Sequence, residues 1–332
     1  MDPELNRYIL LNESKGLVPG YPQSMLDILG TRNIAAVYGS THKYIRNNML
    51  SLVGTPLIKD RLLPRLDRYI KMCLCDWDGL TIDIQRKTMD GRRNVIKILK
   101  ELIDKRRASL VTYDDMLEHL LRDVDTKYKL DDDEIIDQII TILYSGYETV
   151  TTTSMMAVKY LHDHPEALQE LRDEHFAIRK GKAAEESITW DEYKSMRFTR
   201  AVVFETLRLA TVVNGELRKT KSDIKLNEFV IPKGWRIYVY TREINYDPFL
   251  YPEPLKFNPC RWLDKNLESH NYCLLFGGGS RLCPGKELGI ATVSTFLHYF
   301  ATTYRWEEIG GEMLSFPRVQ APNGYHIKVM KF

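Results

Sequence analysis

The chain has 332 residues, 44% of them hydrophobic, enough for one large core or two modest domains. Its 47 Lys and Arg stand against 45 Asp and Glu, a net charge of +2 with the signs interspersed, which excludes a nucleic-acid-binding face. The cysteines Cys73, Cys75, Cys260, Cys273 and Cys283 are odd in number and lack metal-type pairing, so the expectation is a reducing compartment and no disulfides.

Apolar periodicity predicts helices over Pro3–Asn12, Ser24–Leu29, His42–Leu52, Pro56–Asp76, Val95–Arg107 and Tyr113–Arg122. The start, MDPELNRYIL, has neither a basic n-region nor an apolar run, and no later stretch approaches the roughly 18 apolar residues of a membrane span. As given, the chain is expected to be soluble. The basic stretch GRRNVIKILKELIDKRR reads as a membrane-surface or calmodulin-type helix, or as a surface helix turning Val95, Ile98, Leu99 and Leu102 to its own core; the second reading is favoured.

A long helix follows. DDDEIIDQIITILYSGYETVTTTSMMAVKYLHDH opens with a capping-box pattern at Asp131 and Glu134 and is apolar on almost every side through Ile142 and Leu143, which predicts burial through the core. Within it Gly146 leaves room for a group to approach the backbone, and Thr149 can hydrogen-bond back along the helix or to a ligand. His162 and His164 resemble a metal pair, but two residues apart at a helix end their side chains diverge, so a structural role is expected. Pro165 opens the next helix, and a further one runs from about Ser195 to Leu209. Glu205 and Arg208 lie three apart on one face of it, a spacing common in surface ion pairs. IKLNEFVIPKGWRIYVY then alternates, with turns at Asn227-Glu228 and Lys233-Gly234, as a hairpin and a strand do. APNGYHIKV near the end predicts another hairpin, turning at Asn323-Gly324.

The densest signal is FGGGSRLCPGKELG, Phe276 to Gly289, between an alternating NYCLLF that reads as a short strand and a helical KELGIATVSTFLHYF. Strand, glycine loop and helix suggest a phosphate-binding loop. The spacing from Gly279 to Gly285-Lys286 is one residue too long for it, however, and Glu287 stands where a magnesium-binding hydroxyl is needed. A thiolate reading accounts for more. Cys283 lies just ahead of a helix N-terminus, which lowers a thiol's pKa. Gly279 and Gly285 allow tight turns and approach to a flat cofactor, Phe276 shields the sulfur, and Arg281 reaches an acidic edge of the cofactor.

These residues fit the pattern Phe-x-x-Gly-x-Arg-x-Cys-x-Gly at every fixed position, and the sequence here resembles the cytochromes P450. The resemblance implies a mainly α fold, a helical heme-binding body with small β-sheets and hairpins, in one domain over 1–332. It makes Cys283 the proximal ligand of a heme b iron and Arg281 a partner of a heme propionate. SGYETV resembles the family's Ala/Gly-Gly-x-Asp/Glu-Thr-Thr/Ser, which gives Glu148 and Thr149 a proton relay toward dioxygen. Ser145 and Val150 depart from that pattern. Glu205 and Arg208 resemble the Glu-x-x-Arg motif, with Arg261 of FNPCRW completing a buried structural triad. HKYIR resembles the Trp/His-x-x-x-Arg helix, so His42, Arg46 and the later Arg218 are implied as propionate contacts.

GYPQSMLDILG, VVNGELRKT, PKGWRIYVYTREINYDP and YRWEE are similar to the plant brassinosteroid C-6 oxidases. This implies oxidation of 6-deoxo steroids at C-6, with electrons from NADPH through a reductase. Met25, Ile28, Tyr144, Val212, Val213, Asn214, Ala321 and Pro322 are the implied steroid contacts. Such enzymes sit on the cytoplasmic face of the endoplasmic reticulum. Their membrane anchor and first sheet precede the equivalent of Met1, and two helices and part of a third belong between Thr88 and Gly91. The alternative is a truncated, non-catalytic form impaired in heme binding.

Overall fold

Acidic caps and proline starts set the helices of this computed structural model, which describes residues 2–13, 15–83, 92–109, 111, 113, 115–122, 129–183, 185–226, 228–264, 267–316 and 318–332. The Asp2 carboxylate caps α1 (Pro3–Leu11), accepting from the amides of Glu4 and Leu5. Strand β1 (Leu17–Pro19) leads to α2 (Gln23–Leu29) and α3 (Gly39–Val53). The predicted helix from Pro56 is broken into α4 (Thr55–Leu57), a π turn over Ile58–Leu62 and α5 (Leu63–Leu74). Pro64, lacking an N–H, fits at the start of α5 where no intrahelical donor is needed.

After β2 (Thr81–Asp83) come α6 (Arg92–Ala108) and α7 (Met116–Arg122). The 32-residue α8 (Asp132–Asp163) follows, its capping box between Asp131 and Glu134 formed in both directions. Then come α9 (Pro165–Arg179), α10 (Trp190–Ser195) and α11 (Arg197–Ala210). Strands β3 (Gly215–Thr220), β4 (Ile224–Leu226), β5 (Phe229–Ile231) and β6 (Arg236–Tyr240) precede α12 (Arg242–Asn245). The chain ends with α13 (Lys286–Thr303), β7 (Tyr304–Gly310) and β8 (His326–Lys331).

The strands form two small three-stranded antiparallel sheets, ordered β1-β3-β6 and β2-β8-β7, beside the β4-β5 hairpin. Arg218 pairs with Pro19 on one side and Ile237 on the other. Two expectations fail here. NYCLLF forms turns, not a strand. Asn323-Gly324 does form a turn, with Gly324 at φ +80°, but it feeds β8 to β7 and β2 instead of closing a hairpin on itself.

One apolar core joins the C-terminal half of α8 to α5, α9, α11 and α13, with Met155, Ala157, Val158 and Leu161 almost completely enclosed. A second joins Ile135, Ile136, Ile139 and Ile140 of α8 to α3, α6 and α7. Leu99 and Ile103 of α6 lie in this second core, which agrees with the surface-helix reading; the side chains of Val95 and Ile98 lie outside the described residues. Between the two cores, α8 is not buried as its composition suggested. Leu143 is 52% exposed and Tyr144 41%, and Ser145 and Gly146 are exposed with them. The join between Thr88 and Gly91 lies outside the described residues.

Candidate active site

The cysteine loop is held from behind. Glu205 on α11 is wholly buried, and its Oε1 accepts from Arg208 Nη2 (2.8 Å), Arg261 Nε (3.1 Å) and the Asn258 amide (2.9 Å). Its Oε2 accepts from Arg208 Nε (2.9 Å) and Trp262 Nε1 (2.8 Å). Arg208 also donates to the carbonyls of Asn245 and Pro254, both at 2.7 Å. The pair is therefore no surface ion pair: one carboxylate joins two guanidiniums, an indole and a backbone amide. Phe204, next to Glu205, packs edge-on to Phe276 (5.9 Å) and against Trp262 (5.1 Å), carrying this support to the loop.

Within the loop the Cys283 amide donates to the Phe276 carbonyl (2.9 Å). The Cys283 side chain is open to solvent on one side and surrounded by protein on the others. Its thiol is raised, not lowered as the helix-terminus argument suggested. Burial is the largest influence and outweighs the Gly285 N–H and the charges of Arg46 and Lys286, while Glu216 adds to the upward push. Gly279, at φ +63°, makes its close approach to α1, since a Cβ there would lie 2.9 Å from the Leu10 carbonyl oxygen. Gly285 faces the sulfur: its Cβ position lies 4.0 Å from Cys283 Sγ.

On α13, a Cβ at Gly289 would meet Val150 Cγ2 at 3.9 Å. This contact sets the cysteine loop beside the Glu148–Thr149 turn of α8. The Thr149 hydroxyl donates to the Ser145 carbonyl (2.6 Å), inside its own helix. Glu148 forms an ion pair with Arg318, and Tyr144 lies within hydrogen-bonding reach of both. No side-chain hydrogen bond joins Glu148 to Thr149 among the described residues. The exposed stretch of α8 and the open face of Cys283 thus bound the same region.

Cations gather at its edge. Arg281 is paired with Glu13, and Arg218 Nη2 donates to Glu216 (2.7 Å), but Arg218 Nε is buried without an acceptor. His42 is buried, and that burial, with Arg281 and Arg46 nearby and Glu13 opposing them, pushes its pKa down to about 4. It is a neutral donor at pH 7. Arg46, within electrostatic reach of Cys283, has no hydrogen bond or ion pair among the described residues. Glu13 and Glu216 were not found by sequence reasoning, because isolated glutamates carry no motif.

An open thiol, a cation without a counter-ion and a buried guanidinium N–H without an acceptor fit a large, sulfur-ligated group bearing carboxylates. Met25 and Val212 are half-buried, Ile28, Val213 and Pro322 exposed, and Ala321 buried. Asn214 accepts from the Tyr238 hydroxyl (2.7 Å). Met25 and Ile28 lie on α2, which contacts α8, while Val212 to Asn214 precede β3 and Ala321 and Pro322 precede β8. Of the HDHP histidines, His164 serves structure: its Nδ1 meets the Tyr160 carbonyl (2.8 Å) and its ring packs on Phe257.

The family model for cytochrome P450 matches residues 64–328. The chain is 56% identical to cytochrome P450 85A of Phaseolus vulgaris over 383 residues, covering all of this chain and 82% of that relative. The chain belongs to the cytochrome P450 family. It is also 55% identical to cytochrome P450 85A2 of Arabidopsis thaliana, over 99% of this chain and 82% of the relative. A retinoic acid-bound cyanobacterial CYP120A1 superposes with a TM-score of 0.86 over 99% of this chain and 88% of that one, at 22% identity, which establishes the shared fold. The P450 fold is thus mainly α with small sheets, and its cofactor is heme iron. The alignment with the Phaseolus protein runs to 383 positions against 332 residues here, so the relative carries about 50 residues inside the matched span that this chain lacks.

Proposed function

We propose that this P450 monooxygenase oxidises 6-deoxo-brassinosteroids at C-6, first to the alcohol and then to the ketone, drawing electrons from NADPH through a cytochrome reductase. The observation that supports it most is the likeness to 85A proteins along the whole chain, joined to an open cysteine beside an exposed, apolar-rimmed turn of α8. In this reading Cys283 would hold the heme iron. Arg46, His42 and Arg218 face the carboxylate edge, and Glu205, Arg208 and Arg261 fix the loop.

When bound, the heme supplies dioxygen activation for C–H oxidation. The chain's own residues orient and protonate. Thr149 would supply a hydroxyl proton, donated here to the Ser145 carbonyl, and Glu148, once released from Arg318, would restore it. Leu143 and Tyr144 offer apolar surface to the steroid, where Met25, Ile28, Val212, Val213, Asn214, Ala321 and Pro322 provide the remaining contacts. The placement proposed is the cytoplasmic face of the endoplasmic reticulum, as in the resemblance.

The domain is one P450 body over 1–332 from which a lid segment between residues 88 and 91 is absent. Tyr69 and Met72 of α5 are 61% and 63% exposed, and the stretch around Leu143 is bare, as expected where a covering helix is missing. An open pocket admits water, which weakens apolar binding and favours loss of activated oxygen as peroxide. The test is to load this chain and a version with the segment restored, supply reductase, NADPH and a 6-deoxo steroid, and measure the C-6 ketone. Ketone from both, at least about tenfold faster with the segment present, is expected. Heme uptake without C-6 product in either form would overturn the substrate reading, and equal rates would overturn the lid argument.

A further inference from the structure

Four polar side chains with no part in the candidate site line up where three helices meet. Glu174 and His175 lie on α9, Thr199 on α11 and His298 on α13, and the last three are completely buried. Three donors converge on the Glu174 carboxylate: the amides of Phe198 (2.7 Å) and Thr199 (3.0 Å) and the Thr199 hydroxyl (2.6 Å). Both amides belong to the first turn of α11, whose partial positive charge favours an anion there. Thr199 Oγ1 also meets His175 Nε2 (2.9 Å), and His175 Nδ1 meets His298 Nδ1 (3.0 Å), with the two rings nearly perpendicular. His298 Nε2 is buried and has no hydrogen-bond partner among the described residues.

The direction of each bond follows from counting protons. An ionised carboxylate only accepts, and a threonine hydroxyl has one proton, so Thr199 donates to Glu174 and can only accept from His175. His175 therefore carries its proton on Nε2. Burial, with the His298 ring beside it, pushes the pKa of His175 well below the ordinary histidine value, so the ring holds one proton and its Nδ1 is a bare acceptor. The proton between the rings must then come from His298 Nδ1, which leaves His298 Nε2 as a bare lone pair. One carboxylate at the end of the row decides both tautomers.

We infer that Glu174, acting through Thr199, fixes the tautomers of His175 and His298 and so makes a one-way hydrogen-bond clasp across α9, α11 and α13, which acid opens by a proton entering at His298 Nε2. Of the four ring nitrogens, this one alone lacks a hydrogen bond among the described residues, so a proton can sit there without displacing another. Its surroundings oppose that charge. Arg179 of α9, Lys71 of α5 and Lys182, itself paired with Glu192 of α10, all act on His298, and burial adds to them. Asp67 of α5 is already engaged by Lys71, the Tyr299 hydroxyl and the Ile188 amide, and Glu174 stands at the far end of the row. About 18 Å of helix, at about 1.5 Å per residue, separates His298 from Lys286 at the start of α13, so the clasp forms whether or not heme is bound.

Two measurements test it. In the first, the whole chain is labelled with heavy nitrogen at histidine alone and its imidazoles are observed by NMR at neutral pH. His175 is expected to be protonated on Nε2 and His298 on Nδ1, with a through-hydrogen-bond coupling between the two Nδ1 nitrogens. The reverse tautomers, or a mixture, would overturn the clasp, and this holds even if no variant folds. Thr199→Ser, which keeps the hydroxyl, is expected to preserve both tautomers, whereas Thr199→Val should leave them mixed. Unchanged tautomers in Thr199→Val would show that Glu174 does not set them.

The second measurement follows the acid limb. His298→Asn keeps an N–H near the place of Nδ1 and has no basic nitrogen. The folded chain excludes the His298 proton down to about pH 3, while the unfolded chain binds it near pH 6.5, so stability present above that value is lost as the pH falls. Between about pH 6 and about pH 4 the wild-type unfolding constant should therefore rise more steeply than that of His298→Asn, by about tenfold per pH unit. Equal slopes would mean that the proton enters elsewhere, and the proposal falls.

Discussion

Changing Glu205 to Gln keeps the side chain's shape and exchanges one acceptor oxygen for an NH2 group. Glu205 Oε1 serves three donors and Oε2 serves two. Whichever way the amide turns, at least two donors face an N–H2, and one of those lost bonds in either orientation comes from Arg208. Hydrogen bonds to charged groups contribute about 1.5–3 kcal/mol each, so two lost bonds cost about 3–6 kcal/mol. The same range, about 3–5 kcal/mol, follows from leaving a buried charge without its partner, and the Arg208 side chain has no exposure at all. Against a typical total of about 5–15 kcal/mol, that is about a fifth of the stability at the least. Guanidinium unfolding followed by tryptophan fluorescence measures it, because Trp262 is bonded to Glu205 itself. Arg208→Lys should be nearly as harmful, since an ammonium cannot reproduce the two-pronged geometry. A loss below about 1 kcal/mol in Glu205→Gln would refute the claim that this carboxylate organises the region behind the cysteine loop.

Acid should destabilise the fold well before the carboxylates titrate. His175 and His298 meet through their Nδ1 atoms at 3.0 Å, and both are buried with pKa values pushed down, His298 to about 3 and His42 likewise to about 4. The unfolded chain binds these protons near pH 6.5 and the folded one does not. Stability is therefore complete above about pH 6.5 and falls as the pH drops toward about 4, by several kcal/mol in sum. Denaturant midpoints across that range check this; a flat profile from pH 7 to 4.5 would contradict it. Thr149→Ala should retain heme and lose about a hundredfold in coupled product while hydrogen peroxide rises, because the relay lacks its hydroxyl. Stoichiometry of NADPH, peroxide and product measures this, and coupling as tight as wild type would remove Thr149 from the relay.

What could be read from the sequence depended on how local the cause was. The capping box at Asp131 and Glu134 and the helix start at Pro165 are contacts between near neighbours, and the structure forms both. The alternation of Ile224–Leu226 and Phe229–Ile231 likewise gave the β4-β5 hairpin, although Asn227 of its turn lies outside the described residues. NYCLLF alternates just as well, yet it lies against α1, where the Tyr272 hydroxyl donates to Glu4 and Asn271 accepts from Arg7, and no strand pairs with it among the described residues. The exposure of Leu143 and Tyr144 was hidden for the converse reason: composition predicts what a helix can bury, and burial requires a covering partner. Spacing is rigid from Phe276 to Gly285, and there the structure sets Gly285 against the Cys283 sulfur. The thiol of Cys283 shows the limit of such reasoning, because the N-terminal dipole was evident in sequence and the larger cost of burial was not. Glu13 and Glu216 reach the site from distant parts of the chain, and nothing adjacent to them in sequence signals it.

The central claim is that Cys283 is the thiolate ligand of a heme held in this cradle. The carbon monoxide difference spectrum of the reduced, heme-loaded chain tests it most directly, comparing wild type with Cys283→Ser. A thiolate-type Soret band in wild type that is lost in the variant is the predicted result, since a hydroxyl does not ionise at neutral pH and donates poorly to iron. The same band in both proteins, or none in a heme-replete wild type, would contradict it.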